Sequence, residues 1–162
     1  MKWNEVSTIE LEGNILVMKD AMMMLREDEN SPEWPYINCV SGEYVFEINV
    51  PTPFFAHRAR IRKIGSEPEH GKEIGPVNVD HAFLGVIDYE KFLSEVKKDY
   101  EEYSDWTAME LDDKLSINFS GEITFNEAKL LYVKLGDGDG TYKCIELLQD
   151  GMQVGIECVF IS

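Results

Sequence analysis

Apolar runs long enough to cross a bilayer are missing from this 162-residue chain. Its longest, Ile15 to Met18 and Ala21 to Leu25, fall far short of the ~20 residues that a spanning helix needs. The N-terminus has no basic segment followed by an apolar core, so no secretory leader is read there and a cytoplasmic location is expected. Cysteine is scarce: Cys39, Cys144 and Cys158 are odd in number and lack CxxC or CxxxH spacing. Neither a disulfide framework nor a zinc site follows from them, and they read as small buried hydrophobes. The three histidines, His57, His70 and His81, are too dispersed to suggest a metal triad. Positive charge is short as well. Fifteen Lys and Arg stand against 31 Asp and Glu, a net −16 that opposes direct contact with nucleic acid or an anionic membrane and favours a basic protein partner.

What is present, 44% hydrophobic and 28% charged residues, fits one globular domain spanning 1–162. Short strands are expected at Val6 to Leu11 and Ile15 to Met18, around a Glu12-Gly13-Asn14 turn. Asp20 to Leu25 fits helix or core strand equally. The polar stretch Arg26 to Pro35 reads as a loop, with Trp34 as a lid on the core. Glu43 to Val50 alternates apolar and polar residues, and so does Phe55 to Arg62, so the two read as a hairpin turning at Pro51-Thr52-Pro53. Pairing Glu47 with Arg58 and Glu43 with Arg62 keeps the charged faces together. Ile64 to Pro76 reads as a second loop, and Val77 to Ile87 as a strand pair or one bent strand.

Asp88 is an N-cap candidate for a helix to Tyr103, because Tyr89, Phe92, Val96, Tyr100 and Tyr103 recur at helical spacing. Ser104 to Asp113 reads as irregular. Strands return at Leu115 to Phe119, Glu122 to Phe125 and Leu130 to Leu135. Tyr142 to Leu148 and Gln153 to Phe160 flank Asp150-Gly151, a pair suited to a type I′ turn. On that register Glu146 meets Gly155 and Cys144 meets Glu157. The expected fold is a β-rich α+β domain, a sandwich or strongly bent antiparallel sheet with one main helix at about 88–103.

Three stretches stand in order along the chain: Ser41-Gly42-Glu43-Tyr44-Val45, then Asn78-Val79-Asp80 with Gly85-Val86-Ile87-Asp88, then Gly138-Asp139-Gly140-Thr141-Tyr142. Together they resemble the uncharacterised bacterial family named domain of unknown function 4241, with its SGxY strand, VDxG segment and GDGxY turn. His81-Ala82 departs from that pattern, which favours a small residue after Asp80. The resemblance implies a β-rich bacterial domain and carries over no catalytic residue.

Charge is unevenly spread. Asp88 to Asp113 holds ten acids and three lysines, and Phe54 to Lys63 holds four bases and no acid. The acids Glu90, Glu95, Asp99, Glu101, Glu102 and Asp105 lie mostly off the apolar helix stripe, so they are expected to be solvated and open to a basic partner such as a toxin or nuclease. This reads as a non-enzymatic binding protein of immunity or antitoxin type.

An alternative aligns Arg58, Arg60 and Arg62 for a phosphate or carboxylate ligand, in a small-molecule or enzymatic domain. A weaker one places calcium at Asp137 and Asp139 of the Gly136-Asp137-Gly138-Asp139-Gly140 string. An EF-hand counted from Asp137 fails, because its sixth and twelfth positions are Tyr142 and Leu148. A homo-oligomer joined through an edge strand is a third possibility. No nucleophile elbow or SxxK spacing is present, and no cofactor is expected.

Overall fold

The computed structural model describes residues 1–26, 28–51, 56–135 and 139–160. Two antiparallel sheets and a helical layer stack in three tiers. The first sheet runs in the order β1 (Asn4–Leu11), β4 (Gly42–Asn49), β5 (Arg58–Lys63), β11 (Met152–Val159), β10 (Gly140–Gln149) and β6 (Glu69–Val79). The second runs β3 (Tyr36–Asn38), β2 (Ile15–Asp20), β7 (Phe83–Asp88), β9 (Ala128–Lys134) and β8 (Ser120–Phe125). The helices are α1 (Tyr89–Lys98), α2 (Tyr100–Met109) and α3 (Leu111–Ser116). The fold is therefore the β-rich α+β domain that the strand and helix patterns predict.

The second sheet is the middle tier because its strands are apolar on both faces. Leu16, Met18, Leu84, Val86, Leu131 and Val133 turn toward the first sheet and share a core with Tyr44, Phe46, Ile61, Ile156 and Cys158. Their neighbours in the chain, Val17, Ile87, Leu130 and Tyr132, form the other core with Phe92, Val96, Tyr103, Trp106, Leu111 and Leu115. A strand covered on both sides loses its polar alternation, which is why these segments read as continuous apolar runs.

Several local expectations change. The helix over Asp88 to Tyr103 is broken at Asp99, whose φ of −157° ends α1 and whose side chain caps α2. The segment expected to be irregular continues as α2, and the strand expected at Leu115 to Phe119 begins instead as α3, with Leu111 and Leu115 on its buried side. Most of the second expected loop is the edge strand β6. Gly71 and Gly75 interrupt it, and Ile74, Val77 and Val79 are its buried residues, so it has no sustained period of two.

The β4–β5 pair forms, two residues out from the expected register: Glu47 lies opposite Arg60 and Asn49 opposite Arg58. His57 donates its N–H to the Asn49 carbonyl at 2.8 Å, closing the pair one residue earlier. The expected turn through Thr52 and Pro53, and Phe55, lie outside the described residues.

At the β10–β11 turn Asp150 and Gly151 have φ of 52° and 78°, as a type I′ turn requires. The expected register holds for Leu148 and Gln153. A bulge after Leu147 then shifts it by one, so Cys144 faces Cys158 and Ile145 faces Glu157. Trp34 is no lid: its side chain stacks on Tyr36 at 4.5 Å and is 60% exposed.

Candidate functional site

The two charged surfaces lie on opposite outer tiers. On the first sheet, cross-strand register aligns Glu47, Arg60 and Glu157 in one row of the outward face. Arg62 holds Glu47 through two bonds, Nε to Oε1 at 2.7 Å and Nη2 to Oε2 at 3.2 Å, and Arg60 Nε reaches the same Oε1 at 2.9 Å. Arg58 Nη1 and His70 Nε2 both meet Glu157 Oε2, at 2.6 and 3.0 Å. The Arg60 guanidinium also sits 4.1 Å over the Trp3 ring.

Burial pushes the Glu47 carboxyl upward, but the hydrogen bonds and charge of Arg62 and Arg60 together outweigh it and leave the group below its ordinary value. Each of the three arginines proposed for an anion thus holds a buried carboxylate of its own sheet.

The Gly-Asp string offers Asp139, whose Oδ1 accepts the Ala82 N–H at 3.1 Å and braces the β6–β7 turn. Asp137 lies outside the described residues. Among the described residues no group of three or more His, Cys, Asp or Glu is placed to hold a metal ion. Asp80 and His81 meet through Asp20, a buried carboxylate that accepts both their N–H groups, at 2.7 and 3.1 Å, and contacts His81 Nδ1 at 3.0 Å. The sequence offers no sign of this hub, since Asp20 and its partners are some sixty residues apart. Cys39, Cys144 and Cys158 are buried. Burial pushes the Cys39 thiol up to about 11 and the Cys158 thiol well above its ordinary range, so neither is an available thiolate at neutral pH.

The helical tier divides the six acids assigned to a partner. Glu95 is corrected outright: it is 3% exposed, not solvated, and its Oε1 pairs with Lys98 at 3.0 Å and Lys91 at 3.8 Å. Glu90 is exposed, yet its Oε1 accepts the Asn14 N–H at 2.7 Å. Asp99 Oδ1 accepts the Glu102 N–H at 3.0 Å as the α2 cap.

Glu101, Glu102 and Asp105 are exposed and have no ion-pair partner among the described residues. Glu110, Asp112 and Asp113, around the α2–α3 junction, share that state. Beside them Met109 is 70% exposed and Ile117 is 74% exposed. On α2 the spacing 101, 105, 109 puts Glu101, Asp105 and Met109 along one stripe. The acidic belt read from the sequence runs to Asp113, but the partner residues named from it stop at Asp105 and omit Ile117, because α3 reads as partly irregular and partly strand. The four-residue spacing of Leu111 and Leu115 was the available signal.

No helix among the described residues is long and apolar enough to cross a membrane. No family model, curated protein or solved structure matches the chain.

Proposed function

We propose that this protein is a non-enzymatic acidic binding protein that recognises a basic protein partner through the outer surface of α2 and α3, in the manner of an immunity or antitoxin protein. The observation that carries the reading is the company kept by Met109 and Ile117: two exposed apolar side chains among unpaired carboxylates. An interface needs an apolar centre to exclude water and a charged rim to orient the partner, and this surface has both ingredients.

Helix stability accounts for part of the charge. Glu101 and Glu102 in the first turn of α2, and Asp112 and Asp113 in the first turn of α3, complement the helix dipoles. It does not account for Asp105, which lies four residues after Glu101, where two like charges cost about 0.2–0.5 kcal/mol. Nor does it account for Met109 and Ile117. A cationic partner relieves the first and covers the second, and its approach is steered by the −16 net charge.

The test is affinity capture from native cells with the wild-type protein and with the triple variant E101K/E102K/D105K. The proposal expects a basic protein retained by the first and lost by the second. Identical retained proteins on both would remove α2 from the interface.

A further inference from the structure

The β10–β11 hairpin carries two of the three cysteines, and the bulge after Leu147 sets them directly opposite each other, Cys144 against Cys158. Both side chains turn into the core between the two sheets, where each is fully buried and the two thiols are hydrogen-bonded to each other. Cys144 Sγ also meets Met18 Sδ of β2 at 4.0 Å. A small buried hydrophobe accounts for either cysteine alone. It gives no reason for both to share one register position with their sulfurs in contact.

The backbone is already placed for a bond between them. Residues directly opposite in antiparallel strands have Cα atoms about 4.5–5.5 Å apart, inside the ~4.4–6.8 Å that a disulfide spans. Closing the bond draws the sulfurs from contact to about 2.05 Å. Met18 fills the space released, because its unbranched thioether chain adapts to irregular gaps. Cys39 follows β3 in the second sheet, outside this hairpin.

We propose that Cys144 and Cys158 are an oxidative modification site, a disulfide that staples β10 to β11, made by exchange with a low-molecular-weight disulfide of the glutathione class. One cysteine thiolate attacks a sulfur of the small disulfide, its S–S bond breaks and one small thiol leaves. The second cysteine thiolate then attacks the mixed disulfide and displaces the other. Two electrons pass from the cysteines to the small disulfide, and the two cysteine protons end on the two thiols released. The native fold shields both sulfurs, and burial holds the Cys158 thiol well above its ordinary range, so exchange belongs to the chain before its core closes. The hairpin suits that order: the two cysteines close a loop of about 15 residues around the Asp150-Gly151 turn, and hairpins form within about 1–10 μs. The site is separate from the α2–α3 surface and stands or falls independently of the proposed partner.

The experiment refolds the full-length protein from denaturant in excess glutathione disulfide, with reduced glutathione as the control. The oxidised sample is expected to lose two hydrogens by intact mass, to keep one titratable thiol in denaturant where the control has three, and to yield a proteolytic fragment linking Cys144 to Cys158. Its Tm is expected to lie about 5–10 °C above that of the control, and dithiothreitol is expected to abolish the difference. C39A is expected to keep the bridge and the gain in Tm, and C144A and C158A to lose both. The C39A arm and the fragment map decide the matter if either core truncation fails to fold. Three free thiols after oxidative refolding, a glutathione adduct in place of the bridge, a bridge that includes Cys39, or a bridge that leaves the Tm unchanged or lower would each overturn the proposal.

Discussion

Asp88 Oδ2 accepts the backbone N–H of Gly13 at 3.1 Å while its Oδ1 accepts that of Lys91 at 3.3 Å. One buried carboxylate thus caps α1 and holds the β1–β2 turn, where it also receives the Glu12 N–H at 2.9 Å. D88A removes the cap and strands those amides, an expected loss of about 2–4 kcal/mol. A lower urea midpoint with an unchanged slope is the reading that checks it. G13A is expected to cost about 1 kcal/mol, because its Cβ would lie 2.9 Å from Asp88 Oδ1 and 2.7 Å from Glu90 Oε1. A D88A midpoint equal to wild type would contradict the role given to this residue.

Gly155 tests the contact between β11 and β5. A Cβ there would stand 2.0 Å from the Ile61 carbonyl oxygen and 3.0 Å from Arg62 Cα, backbone atoms that cannot move without separating the strands. G155A is expected to lose at least about 3 kcal/mol in thermal unfolding. G151A, in open space but at φ of 78°, is expected to lose only about 1 kcal/mol from backbone strain. Equal losses would argue against the tight β5–β11 approach.

His81 makes stability depend on pH. Its hydrogen bond to Asp20 is the largest influence and raises its pKa, against a smaller opposing effect of burial. A raised folded pKa means that the stabilisation is fully present below the unfolded value of about 6.5 and fades as pH rises through the folded value. The Tm gap between wild type and H81N is therefore expected to be widest in mildly acidic buffer and to narrow toward alkaline pH. A gap independent of pH would remove the charged form of His81 from the account.

Glu47 gives the opposite sign. Its folded pKa is depressed, so its contribution is present above the ordinary carboxylate value of about 4.3 and is lost as pH falls through the folded value. E47Q leaves Arg60 and Arg62 without their shared carboxylate and is expected to lose about 2–4 kcal/mol at neutral pH. The difference from wild type should shrink in acid. A neutral-pH midpoint unchanged by E47Q would make the network a surface decoration.

Features settled by neighbours in the chain were legible in advance. Asp88 announces a helix start, Asp150-Gly151 announces a turn, and Ile15 to Met18 and Leu130 to Val133 announce strands by apolar content alone. Features settled by distant partners were not. The bulge at Leu147 sets Cys144 opposite Cys158 in the core, and nothing local to β10 encodes it, while Glu157 stays on the outward face and is 1% exposed beneath Arg58 and His70. Glu95 looked solvated from its helix position, yet it is buried, and Lys91 and Lys98 reach its carboxylate from the surface. The α2–α3 surface was half legible: its acids stand out as charge, but the exposure of Met109 and Ile117 depends on where α3 turns.

The most direct measurement of the proposed function is the kinetics of a captured basic partner against wild type, E101K/E102K/D105K and M109A/I117A at two ionic strengths. The charge reversal is expected to slow association, most at low salt, and the apolar truncation to speed dissociation. Both sets of rates unchanged from wild type would contradict recognition through α2 and α3.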